Sequence, residues 1–144
     1  MTPEELARLH ASCFEDAPRA WSAEEFEALL ADTSIRFHWA AHGFAVVRQV
    51  SDEAELLTLA VDPAHRRQGI ARAVLKEALS VAHDQGAAAM FLEVGEDNVG
   101  AHALYVATGF VEVGRRKDYY ASPKGRRISA LVMKCDLSLA KISS

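Results

Sequence analysis

One stretch, residues 56–75, constrains this chain more than any other: an apolar run, a turn, a basic loop with one glycine, then a helix. Leu56-Leu57-Thr58-Leu59-Ala60-Val61 reads as a strand buried on both faces, because apolar side chains occupy nearly every position. Asp62-Pro63 ends it, since proline has no N–H for a ladder and biases the residue before it. After Arg66-Arg67-Gln68-Gly69 the residues Ile70, Ala71, Val74, Leu75, Ala78, Leu79 and Ala82 recur with the 3.6-residue period of a helix. A loop that opens a helix offers unpaired backbone N–H groups to an anion. Gly69 lets the backbone come close to such a ligand, and Arg66, Arg67 and Arg72 add positive charge. A phosphate group is the natural ligand.

Two phosphate motifs are excluded. A P-loop ends in Gly-Lys-Ser/Thr, which is absent, and the dinucleotide fingerprint needs three glycines where this loop has one. What remains is Gln/Arg-x-x-Gly-x-Gly/Ala, filled by Arg66, Arg67, Gln68, Gly69, Ile70 and Ala71. This pattern resembles the pyrophosphate loop of the GNAT N-acetyltransferases, which bind acetyl-CoA.

The flanking sequence predicts an α/β architecture. Thr2-Pro3-Glu4-Glu5 and Ser22-Ala23-Glu24-Glu25 are two capping boxes, each opening a helix. Leu6, Leu9, His10 and Cys13 share the inner face of the first helix, and Phe26, Leu29 and Leu30 mark the second. Residues 14–21, with Pro18, form the linker. Strands are expected over 35–40 and 44–50, joined at His42-Gly43, then over 56–61. A helix closed by Gly86, a strand over 88–94, a helix over 98–108 closed by Gly109, and strands over 110–116 and 128–136 complete the order. The tail from Leu137 has no evident partner. Hairpins mixed with strand–helix crossovers imply one parallel pair inside an otherwise antiparallel sheet.

At 144 residues the chain is expected to form a single domain spanning 1–144. A net charge of −4 argues against general nucleic-acid binding, although Arg115-Arg116-Lys117 and Lys124-Gly125-Arg126-Arg127 form basic clusters that read first as a solvated rim and second as a contact for docking RNA. No run of residues approaches the length that spans a bilayer. Cys13 and Cys135, far apart and without a leader sequence, are expected to be reduced thiols of a cytoplasmic protein. No histidine has cysteine or acidic ligands at zinc spacing within one helix, so no metal site is expected.

Glu93 is a charge inside the apolar run Met90-Phe91-Leu92-Glu93-Val94. It is either a strand-end carboxylate reaching water or a functional group, and its place near the carboxyl end of a strand favours function. Asn98 reads first as a helix N-cap, and Tyr105, on the helical face of Ala101, Leu104 and Thr108, reads first as core.

A more specific resemblance comes from the order and spacing of several segments together. Leu59-Ala60-Val61-Asp62-Pro63, the 66–71 loop, Leu92-Glu93-Val94, Asn98, Ala103-Leu104-Tyr105, Gly109-Phe110 and Tyr119-Tyr120 are similar to the ribosomal-protein-alanine N-acetyltransferases, as is the early Trp21-Ser22 with Phe26. The likeness covers residues 21–133. It implies a GNAT fold, with one departure: that fold opens with an edge strand, and this chain is expected to lack it. It also implies acetyl-CoA as cosubstrate and a protein N-terminus as acceptor. Glu93 stands at the position of the general base and Tyr105 at that of the general acid. Asn98 and the backbone of Leu59, Ala60 and Val61 stand at cofactor contacts. A second departure is Gly125-Arg126-Arg127-Ile128-Ser129, where the family tends to carry acidic residues. Acetylation of a small amine, or acyl-CoA binding without catalysis, are the alternative functions.

Overall fold

The computed structural model describes residues 1–14, 19–121 and 125–138. The expected features at residues 15–18, at Lys124 and at 139–144 lie outside these. Helices α1 (Pro3–Cys13) and α2 (Ala23–Ala31) come first, each opened by the capping box read from the sequence. Strands β1 (Ile35–Ala40), β2 (Gly43–Val50) and β3 (Glu53–Val61) follow, then a short helical turn (Pro63–His65) and helix α3 (Ile70–Asp84). The chain continues with β4 (Ala89–Gly95), α4 (Val99–Ala107), β5 (Val111–Ala121) and β6 (Arg127–Asp136).

The six strands form one sheet in the order β1-β2-β3-β4-β6-β5. Of the paired strands only β3 and β4 run parallel, because α3 returns the chain to the same end beside β3, whereas α4 carries it from β4 to β5 on the far side of β6. Two cores cover the sheet. On one face α3 inserts Val74, Leu75, Ala78, Leu79 and Ala82 against Ala45, Val47, Met90 and Leu92. On the other, Leu6 of α1 and Phe26 of α2 meet Phe44, Val46 and Ala60. A fully buried leucine or phenylalanine stabilises by roughly 1.5–3 kcal/mol, so these side chains fix which way each helix faces.

Several boundaries differ from the sequence reading. β3 begins earlier, at Glu53, and β5 extends through Tyr119 and Tyr120 to Ala121. β5 is an edge strand whose residues are nearly all exposed, so no apolar alternation marks its length. Leu137 is not a partnerless tail. Its side chain is completely buried, and its N–H donates to the Ala88 carbonyl at 2.9 Å.

Candidate active site

The site begins with a fault in the sheet. The β2–β3 ladder shifts register between Val46, opposite Thr58, and Val47, opposite Leu56, leaving Leu57 as an extra residue. Such a bulge bends and twists the strand that carries it. The parallel ladder to β4 covers only Glu53–Glu55 against Ala89–Phe91 and stops just before the bulge. Beyond it the two strands part, and two clefts open, of about 510 Å³ and 320 Å³. They share Phe14, Leu59, Asn98, Ala101 and Tyr105.

The larger cleft has the makings of an anion site. Of the four α-helices in the described residues only α3 lacks a side-chain cap: Thr2, Ser22 and Asn98 cap the others, whereas Gly69 stands at the α3 start. The first amides of α3 are therefore left for a ligand. Gly69 holds φ at 78°, a left-handed conformation that costs glycine little, and a Cβ built there meets nothing within 4 Å. Arg66, Arg67 and Arg72 line the cleft and have no carboxylate partner among the described residues.

Leu59, Val61, Ile70, Ala71 and Asn98 also line this cleft. Val61 turns its carbonyl away from β2, accepting the Cys13 thiol at 3.3 Å, while the next amide, Asp62 N–H, donates to His42 O at 2.8 Å on the β2 side. Of the other expected residues, Gln68 stays exposed outside the lining, and Ala60, expected to act through its backbone, turns its side chain into the opposite core with Phe44. Asn98 is a true cap, its Oδ1 accepting Ala101 N–H at 3.2 Å, which leaves its amide NH₂ as a donor.

The smaller cleft holds the carboxylate. Glu93, with a quarter of its side chain exposed, lines it and pairs with Arg116 at 3.3 Å, whose guanidinium lies over the Tyr119 ring. Arg115 meets Glu96 at 2.8 Å and Arg126 meets Asp97 at 2.8 Å. Three of the arginines read as a solvated rim are thus partners of carboxylates on and just after β4.

Tyr105 stands between the clefts because of how α4 stops. Gly109, at φ 105°, reverses the chain so that Phe110 N–H donates to Tyr105 O at 2.9 Å and Gly109 N–H to Val106 O at 3.2 Å. The same motif packs Phe110 against the Tyr105 ring. Burial, and then the Tyr120 phenol, push the Tyr105 pKa up to about 12. Its hydroxyl has no hydrogen-bond partner among the described residues.

Sequence reasoning did not find His10 as a wall of the smaller cleft. It is 2% exposed, stacks between Phe14 and Trp21, and bonds Thr58 Oγ1 at 2.9 Å. Trp21 N–H donates to its Nδ1 at 3.0 Å, so the ring proton sits on Nε2 and is given to Thr58. Its position on the inner face of α1 was the available signal.

Residues 4–110 match the model of the acetyltransferase (GNAT) family. The chain belongs to that family. The ribosomal protein bS18-alanine N-acetyltransferase of Escherichia coli strain K12 is 35% identical over 123 residues, covering 83% of this chain and 82% of that protein. Among solved structures, the ribosomal-protein-S18-alanine N-acetyltransferase from Escherichia coli superposes with a TM-score of 0.80 at 30% identity, over 93% of this chain and 86% of that one. Ard1 from Thermoplasma volcanium gives 0.78 at 26% identity, over 94% and 90%. For a GNAT acetyltransferase the larger cleft fits acetyl-CoA: bare amides and three arginines without a carboxylate partner among the described residues suit a diphosphate, and the strand splay beside Leu59 and Val61 leaves backbone groups for the acyl arm.

Proposed function

We propose that this chain transfers the acetyl group of acetyl-CoA to the N-terminal α-amino group of a protein, of the alanine type named for its bS18-acetylating relatives. The observation that carries the reading is the meeting of an anion-binding cleft and a carboxylate-bearing cleft at Tyr105.

Acetyl-CoA supplies an activated thioester. Arg66, Arg67, Arg72 and the amides of Gly69, Ile70 and Ala71 hold its phosphates, with Leu59, Val61 and Asn98 along the cleft. An α-amino group has a pKa near 8, so it needs a proton acceptor at neutral pH. Glu93 takes that proton through water, the nitrogen lone pair forms a bond to the thioester carbon, and the attached nitrogen sheds its second proton to water as the amide forms. The C–S bond breaks as the carbonyl re-forms, and the sulfur takes the proton of Tyr105. The tyrosinate then recovers a proton from solvent. The Val61 N–H polarises the carbonyl oxygen. The reaction is taken to be cytosolic, in keeping with two free cysteines; no helix among the described residues is long and apolar enough to cross a membrane.

The experiment is acetyl-CoA consumption with a panel of alanine-starting peptides, neutral and basic after the first residue, beside polyamines and amino acids. Turnover of the peptides above the small amines is the expected result. Because Glu93, Glu96 and Asp97 each meet an arginine, basic and neutral peptides are expected to differ little. Preference for a polyamine would replace the acceptor assignment, and acetyl-CoA binding without turnover of any acceptor would leave a binding module.

A further inference from the structure

Three side chains from separate parts of the chain meet beside the cofactor loop. His42 occupies the β1–β2 turn, and Asp62 and His65 flank Pro63-Ala64 just after β3. One nitrogen from each imidazole and one carboxylate oxygen lie within 4.8 Å of one another. We propose that His42, Asp62 and His65 form a binding site for a divalent transition-metal ion of the zinc type.

The backbone holds the three together. The His42 carbonyl accepts Asp62 N–H at 2.8 Å, tying the hairpin turn to the end of β3. Asp62 Oδ1 accepts Ala64 N–H at 3.0 Å, which orients the carboxylate and leaves Oδ2 free for an ion. That oxygen is 3.5 Å from His65 Nδ1, a contact that makes no hydrogen bond, so the nitrogen is buried without a partner. The two imidazoles lie face to face, with centroids 3.5 Å apart and planes 5° from parallel. His38 with Glu77 and His83 with Asp84 each bring a single imidazole to a carboxylate. Among the described residues, only the His42 cluster gathers three such ligands.

The donor set selects the ion. Two imidazole nitrogens and one carboxylate suit zinc, cobalt, nickel or copper, whereas magnesium and calcium require oxygen ligands. Three protein ligands leave a fourth tetrahedral position to water. Bonds of about 2.0–2.1 Å place tetrahedral ligand atoms roughly 3.3 Å apart, so the cluster closes on the ion by side-chain rotation. Stacked rings have parallel in-plane lone pairs, and one imidazole must tip out of the stack. His42 is exposed and is the ring free to do so, while Asp62 and His65 are half-buried. The spacing 42, 62, 65 conceals the site from a search along one helix.

The test is calorimetric titration of ZnCl₂ into the chelator-treated full chain, with cobalt(II) absorption as a second readout. One ion per chain is expected, with the intense visible bands of tetrahedral cobalt. His42→Asn should weaken binding at least tenfold. Asparagine suits the variant because it accepts the φ of 68° that His42 holds. Acetyl transfer by this variant in metal-free buffer should match the parent, since His42 does not line either cleft. His65→Gln, outside that strained position, should give the same loss of metal. Absence of saturable binding overturns the proposal, and so does wild-type affinity in both variants, which would assign the ion to other ligands.

Discussion

Tyr105 is held with its proton on. Burial and the Tyr120 phenol push its pKa up to about 12, while the hydroxyl itself is bonded to nothing in the described residues. A phenol in that state is a donor with no structural duty. Tyr105→Phe keeps the ring against Phe110, and its melting temperature should stay within about 2 °C of the parent. Turnover should nevertheless fall by roughly 10²-fold if the phenol protonates the leaving sulfur. Thermal melting and steady-state rates on one preparation check both halves, and unchanged turnover would return Tyr105 to the core. Glu93 has the complementary task. Glu93→Gln removes the proton acceptor and the Arg116 pair, a half-exposed contact that adds little stability. Turnover should drop while acetyl-CoA affinity stays, and the deficit should narrow above pH 8, where the amine has already lost its proton. A deficit that is constant with pH would argue against a base.

At the scale of the element, the start of α3 is where the cofactor site is proposed, and its uncapped helix start was legible. The residues 66–71, the proline stop and the helical period are local signals, and the structure puts a bare helix start where they converge. Gly69 allows charge to be separated from strain. Gly69→Ala and Gly69→Asp both force a side chain onto φ 78°, costing about 1–2 kcal/mol, and neither Cβ meets an obstacle. The two variants should therefore lose similar stability. Only aspartate sets a negative charge beside the diphosphate, and calorimetry should show it binding acetyl-CoA about tenfold more weakly than the alanine variant, about 1.4 kcal/mol. Equal affinities would remove the helix start from the site. What was not legible is the bulge at Leu57. Leu56-Leu57-Thr58-Leu59-Ala60-Val61 is apolar almost throughout, so a change of face leaves no break in any alternation. The full length of β5 was hidden for the opposite reason: an edge strand exposed on both faces has no apolar pattern to read.

Across the whole molecule the order of elements and the single parallel pair could be read in advance, because caps, glycine stops and periodicity are each written within a few residues. The contacts that join distant segments could not. His10 is the clearest of them, linking α1 to β3 through Thr58 and to the start of α2 through Trp21. Burial holds its pKa down at about 4, with Glu25 pulling up and Arg19 pushing down as lesser influences. A group whose pKa is depressed on folding contributes stability that is complete above its unfolded value near 6.5 and is lost as pH falls toward the folded value. Between pH 7.5 and pH 5 the unfolded chain takes up a proton that the native chain refuses, which should cost about 2 kcal/mol. Carboxylates held low, such as Glu25 at about 2, act mainly beneath their unfolded value near 4.5, below most of this window. Urea unfolding of the parent and His10→Gln at the two pH values measures the effect. The glutamine variant should be less stable at pH 7.5, having lost the aromatic stack, and its stability should fall by less between the two values. An equal fall in both proteins would place the titrating group elsewhere and leave His10 as packing alone.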